Sequence, residues 1–139
     1  MVTPAIQQRV RFNASTSRLF NMYMDSRQHS AATCAKAVVS RKVGGKLSAF
    51  GGTITGKMLA IVPNRMVVQA WRAKHWKKTD LDSILVLKFS KIKDGTQVDL
   101  VHVNVPEHDH DGVRQGWEKY YWKPWRAYLE HGEHTEDGG

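Results

Sequence analysis

The feature that most constrains this chain is a switch of period: apolar residues alternate with polar ones from Lys36 to Pro106, then recur at helical spacing from Asp111 onward. Within the alternating stretch the punctuation is that of hairpins, with Gly44-Gly45, Gly51-Gly52, Pro63-Asn64 and Asp94-Gly95 between apolar runs. Six strands fit between these breaks, over Lys36–Arg41, Lys46–Phe50, Ile54–Ile61, Met66–His75, Ile84–Lys91 and Gln97–Val105. Their short connections make sequence neighbours antiparallel; the longest, Trp76 to Ser83, reads as the mobile one.

Ahead of the sheet, Gln7 to Phe12 alternates as a first strand. Ser15 or Thr16 then caps a helix carrying Leu19, Phe20, Tyr23 and Met24, and Asp25 or Ser26 caps a second helix to about Cys34. Behind the sheet, Asp111 caps a helix whose Val113, Trp117, Tyr120, Tyr121, Pro124 and Tyr128 share a broad face. Full burial of each large aromatic contributes ~1.5–3 kcal/mol, enough to anchor that helix on the sheet. Pro124 removes a backbone hydrogen bond at a cost of ~3 kcal/mol and predicts a kink near Tyr120. Trp117, Tyr121 and Tyr128 are expected to face the sheet, with Gly116 allowing close approach to the strands. Trp122 and Trp125 exceed what such a core needs and are the expected partner contacts.

A length of 139 residues with 41% hydrophobic content suits one domain, which buries roughly two-thirds of its unfolded surface. Residues 1–130 form that α+β domain; 131–139, with Glu133, Glu136 and Asp137, are expected to be a disordered acidic tail. The lone Cys34 allows no internal disulfide, and neither a signal peptide nor a membrane-length apolar run occurs, so the cytoplasm is the expected compartment. The net charge of +8 favours acidic partners.

Taken in order, these elements, with Gly44-Gly45, Gly52-Thr53-Ile54-Thr55-Gly56, Pro63, Gln69-Ala70-Trp71-Arg72, Thr96, His102, Val105-Pro106 and Gly116-Trp117, resemble one family. It is the activator-of-Hsp90-ATPase homologue family, within the START-like (SRPBCC, helix-grip) superfamily. The resemblance runs from about Ile6 to Leu129. It implies a curved antiparallel sheet of about seven strands gripping the C-terminal helix, and a cavity between them of the kind relatives use for apolar ligands. It also implies contact with an Hsp90-type chaperone, in a co-chaperone or stress-response role. The eukaryotic co-chaperone of the family has a further N-terminal domain important for stimulating the ATPase; this sequence opens on the first strand, so binding is expected rather than activation.

Two functions follow as expectations. The first is a non-enzymatic binding protein docking on a chaperone, with a homodimer also compatible. The second is a small-apolar-ligand protein, with cyclase or lyase activity as a variant, whose cavity is lined by Leu87, His102, Trp117, Tyr121 and Tyr128. Other readings are weaker. Trp71 and Arg72, near Lys74, Trp76, Lys77 and Lys78, mix aromatic and basic groups, but on a strand they point to opposite faces, so nucleic acid is not expected. His108, Asp109 and His110 lie in a polar loop without zinc-motif spacing, so no metal or other cofactor is expected. The terminal aromatics occupy enough directions to allow a membrane-surface helix, but within this fold they are read as facing the sheet, its edge or a partner, so no membrane is expected; no Ser/His/Asp set or carboxylate pair stands out for catalysis.

Overall fold

A computed structural model describes the backbone of residues 3–138 and the side chains of residues 3–131. The strands are β1 (Ile6–Phe12), β2 (Val38–Val39), β3 (Lys46–Ala49), β4 (Ile54–Val62), β5 (Met66–Ala73), β6 (Ser83–Ile92) and β7 (Gly95–Val103). They form one antiparallel sheet in the order β1-β7-β6-β5-β4-β3-β2. Every connection from β2 to β7 joins antiparallel neighbours, four at the Gly or Pro breaks and the fifth, β5 to β6, through the longer loop. β1 closes the far edge by pairing Ile6 to Phe12 with His102 to Thr96. The expected strand over Lys36–Arg41 shrinks to Val38–Val39 at the edge.

Helices α1 (Thr16–Met24) and α2 (Ser26–Thr33) start where their caps predict. Ser15 Oγ accepts from the Arg18 amide and Asp25 Oδ2 from the Gln28 amide, each satisfying a first-turn N–H. The C-terminal helix begins at His110 and continues in helical geometry to Gly138. Its last turns cover the stretch expected to be a disordered tail; the side chains of 132–139 lie outside the described residues. Among the described residues, no helix is long and apolar enough to cross a membrane.

Pro124 acts where expected but not by a simple kink. Glu118–Trp122 forms a π-helical turn in which the Lys123 amide donates to the Glu118 carbonyl, five residues back. A π-turn widens the helix locally, absorbing the residue without a backbone N–H, and it brings residues five apart onto one face. The result is visible in Trp117 and Trp122, whose rings stack at 5.6 Å with 24° between planes.

Alternation sends Leu47, Met58, Val67, Leu85, Leu87, Val98 and Leu100 to the inner face, where all helices pack. Gly56 is required by close approach rather than by φ: a Cβ there would meet the Ala70 carbonyl oxygen at 2.1 Å, beside the bulge at Met58/Ala60. The Trp76–Ser83 loop, read as mobile, is tied down. Arg72 donates to the Lys77 and Asp80 carbonyls and to Asp82 Oδ1, and His108 Nε2 is 2.8 Å from Asp80 Oδ2.

Candidate functional site

Between the first turns of the C-terminal helix and the β4–β5 end of the sheet lies a cavity of about 400 Å3. The sheet side contributes Phe50, Ile54, Trp71 and Ala73; the helix contributes Gly112, Val113, Gly116, Trp117, Tyr120 and Tyr121. Gly112 and Gly116 stand one helical turn apart, so neither fills the gap with a side chain. A Cβ on Gly116 would meet only the Tyr120 ring, at 3.5 Å, so this glycine leaves space rather than permitting contact with the strands, contrary to the sequence-based expectation.

The mouth is held by Asp109. Its Oδ2 accepts from Trp76 Nε1 at 2.7 Å and lies 2.9 Å from His75 Nε2, tying the start of the helix to the end of β5. His110 Nε2 donates to the Pro4 carbonyl, a second tether to the N-terminal segment. The histidine bordering the cavity is therefore His75, which the sequence did not single out.

His102 is not at the cavity. It is fully buried, with both ring nitrogens engaged: Trp117 Nε1–H donates to Nδ1 at 3.2 Å, and Nε2–H donates to Ser83 Oγ at 2.8 Å. Ser83 in turn donates to the Trp71 carbonyl. This relay fits only the neutral ring, because a proton on Nδ1 would face the Trp117 N–H. Burial, aided by repulsion from His110, lowers its pKa to about 3. From behind the cavity wall, His102 positions Trp117 and Trp71 and does not offer itself to a ligand.

A second buried relay lies under the middle of the helix. His29 Nδ1–H donates to the Tyr23 carbonyl, the Tyr121 hydroxyl donates to His29 Nε2, and the Tyr23 hydroxyl donates to Gln69 Oε1. Burial lowers the His29 pKa, partly opposed by its bond to the Tyr23 carbonyl, and raises those of Tyr23 and Tyr121.

Of the five expected lining residues, Trp117 and Tyr121 border the cavity. Leu87 lies elsewhere in the core and Tyr128 is half-buried further along the helix. The expected partner contacts, Trp122 and Trp125, are corrected outright, being only 1% and 0% exposed. The π-turn rotates Trp122 inward, where its Nε1 donates to Gln8 Oε1, and Trp125 packs against Phe12 and Tyr23.

A continuous apolar area lies on the outer face of the sheet. Cross-strand rows there run Ala60–Val68–Val86–Val101 and Ala70–Ile84–Val103. These side chains are half-buried by one another, with Val103 and nearby Val62 exposed. Lys46, Lys57 and Arg72 flank one side; Lys88 and the Arg9–Asp99 ion pair flank the other.

A curved antiparallel sheet wrapped on one long helix, with a cavity at one end, defines an α+β helix-grip protein. The chain belongs to the family described as Activator of Hsp90 ATPase homolog 1-like protein, whose model matches residues 13–130. It is 27% identical over 112 residues to activator of 90 kDa heat shock protein ATPase homolog 1 of Homo sapiens, covering 81% of this chain and 33% of the relative. The corresponding Dictyostelium discoideum homologue is 26% identical over 120 residues, covering 84% and 30%. The chain thus spans about a third of the length of the curated relatives it matches. Among solved structures, an HSP90 activator from Plasmodium falciparum shares the fold with a TM-score of 0.84 at 23% identity, covering 92% of this chain and 97% of that one. The Aha1 dimer from Colwellia psychrerythraea does so with a TM-score of 0.78 at 16% identity, covering 92% and 97%.

Proposed function

We propose that this protein is a non-enzymatic binding protein that docks on an Hsp90-type chaperone in the cytoplasm, using the outer face of its sheet. The observation carrying this reading is the apolar centre formed by Val68, Val86 and Val101, flanked by Lys57, Arg72 and Lys88. An apolar patch rimmed by polar groups is a common interaction surface, and the basic rim selects an acidic partner. A second copy through the same face would set one basic rim against another. Family membership and the names of the relatives supply the chaperone.

Calorimetric titration with an Hsp90 protein at low and physiological salt tests it. Binding that weakens as salt rises, and weakens further in Lys57→Glu and Lys88→Glu, is expected. No heat at either salt overturns the docking.

The cavity supports a second reading, that the chain holds a small apolar molecule between helix and sheet. Its volume is within the range of small-molecule sites and its wall is mostly apolar, with several aromatic rings. His102 is not available for cyclase or lyase chemistry there, since both its nitrogens are bonded within the core.

A further inference from the structure

The cations flanking the apolar rows of the outer sheet face are not equivalent. Arg9 is bonded to Asp99 at 2.7 Å, Lys88 stands directly opposite Asp99 across β6 and β7, and Arg72 is bonded to Asp82 at 2.7 Å. Lys46 and Lys57 stand opposite each other instead, as cross-strand partners of β3 and β4, and among the described residues neither has an acidic partner. Like charges directly opposite are destabilising in an antiparallel pair, so this arrangement weakens the sheet unless an anion lies over it.

The surroundings fit such an anion. The two lysines border an open hollow of about 530 Å3 together with Ser48, Thr55, Arg72 and Asp82. Arg72 is bonded to the only carboxylate there, which leaves the two lysine charges uncompensated. Ser48 and Thr55 form the next outward-facing pair along the same two strands and add two hydroxyl donors beside the ammonium groups. From Lys57 the same cross-strand row continues through Ala70 and Ile84 to Val103, an apolar run that reaches about 14 Å at the spacing of strands in a sheet. We infer that the lysine pair anchors the acidic end of a partner segment: a stretch of protein chain with adjacent carboxylates seated over Lys46 and Lys57 and apolar residues laid along Ala70, Ile84 and Val103. This rests on the docking reading above and sharpens it, because it makes the β3–β4 side of the face, rather than the Lys88 side, the one that selects the partner's charge.

Three capped peptides test the surface without a chaperone: Glu-Glu-Gly-Leu-Val-Leu, its Gln-Gln counterpart, and Glu-Glu-Gly-Ser-Ser-Ser. In NMR titrations the first should move the backbone amides of Lys46, Ser48, Thr55 and Lys57 together with those of Ile84 and Val103. The serine peptide should move only the group around the lysines, and the glutamine peptide should bind several-fold more weakly. In parallel, an Hsp90 protein is titrated by calorimetry into the wild type, Lys46→Thr/Lys57→Thr and Lys88→Thr, threonine being a good strand former. The double variant is expected to bind about three- to ten-fold more weakly, the factor for two exposed ion pairs, and Lys88→Thr by less than about two-fold. The urea midpoint of the double variant should equal or exceed that of the wild type, because a repulsion has been removed.

Shifts as large around Lys88 as around Lys57, equal binding of the glutamine peptide, no saturable shift with any peptide, or a lowered urea midpoint in the double variant overturns this inference. So does Hsp90 binding that Lys88→Thr weakens as much as the double variant, a result that leaves the docking itself standing. The expected peptide shifts with no heat from Hsp90 overturn docking on a chaperone and support the anchor, for a different acidic partner.

Discussion

The two ends of the space between helix and sheet are built from the same elements and come out opposite. At the start of the helix, Gly112, Val113 and Gly116 face the sheet and leave the cavity beside Trp71 and Trp117. From the π-turn onward, Tyr121, Trp122 and Trp125 meet Phe12 and Tyr23 in an aromatic cluster, and Arg126 lies over the Phe12 ring at 4.6 Å while donating to the Arg11 carbonyl. One end carries small residues and stays open; the other carries the largest residues and closes. The difference teaches that stability and ligand space are divided along one helix: the filled end anchors it, which lets the open end tolerate an incompletely packed wall.

The largest effect should come from breaking the filled end. Trp125→Ala removes a fully buried indole and is expected to cost about 3–5 kcal/mol in urea unfolding, through lost burial and the cavity left behind. A loss below about 1 kcal/mol would show that the aromatic cluster is not the anchor.

Each end also contains one buried histidine, His29 under Tyr121 and His102 behind Trp117, and both have depressed pKa values. Below the unfolded pKa of about 6.5, the unfolded chain takes up protons that the folded chain refuses, so stability falls as pH drops. For His102 this window extends down to about 3. For His102 the slope approaches about 1.4 kcal/mol per pH unit, His29 adds to it in the same direction, and between roughly pH 6 and 5 it precedes most carboxylate titration. Urea midpoints across that range should fall with acid in the wild type, and less steeply in His29→Gln and His102→Gln. A flat wild-type profile contradicts the neutral relays.

The smallest effect sharpens the open end. Gly116→Ala finds no contact closer than 3.5 Å and replaces a helical glycine, so it should stabilise the protein by about 0.5–1 kcal/mol while narrowing the cavity. A lower melting temperature would mean that the helix does need glycine there.

Much of this architecture was legible because it rests on local rules. The hairpin breaks, the two capped helices and the inward alternation along β5 to β7 follow from turn chemistry and a period of two. The site was legible only in part. Trp117 and Tyr121 follow from helical spacing, whereas Trp122 does not, because its inward direction exists only once the π-turn has formed. Pro124 was the available signal for that turn, as a proline inside a helical pattern forces the backbone to re-bond somewhere upstream. Nothing in the sequence joins His75 to Asp109, 34 positions away, or distinguishes the unpartnered Trp71 N–H from the satisfied one of Trp117.

By itself the sequence determined the class of fold, the hairpin order and the presence of one aromatic helix across the sheet, since propensity, turns and periodicity act over a few neighbouring residues. Only the tertiary structure decided which tryptophans are buried, which histidine borders the cavity, and that the two outer tryptophans of the helix are core while a row of valines is left half-open on the outside of the sheet. Those outcomes depend on which side chains from distant segments come to share a space, and volume, hydrogen-bond satisfaction and solvent exposure are properties of that space.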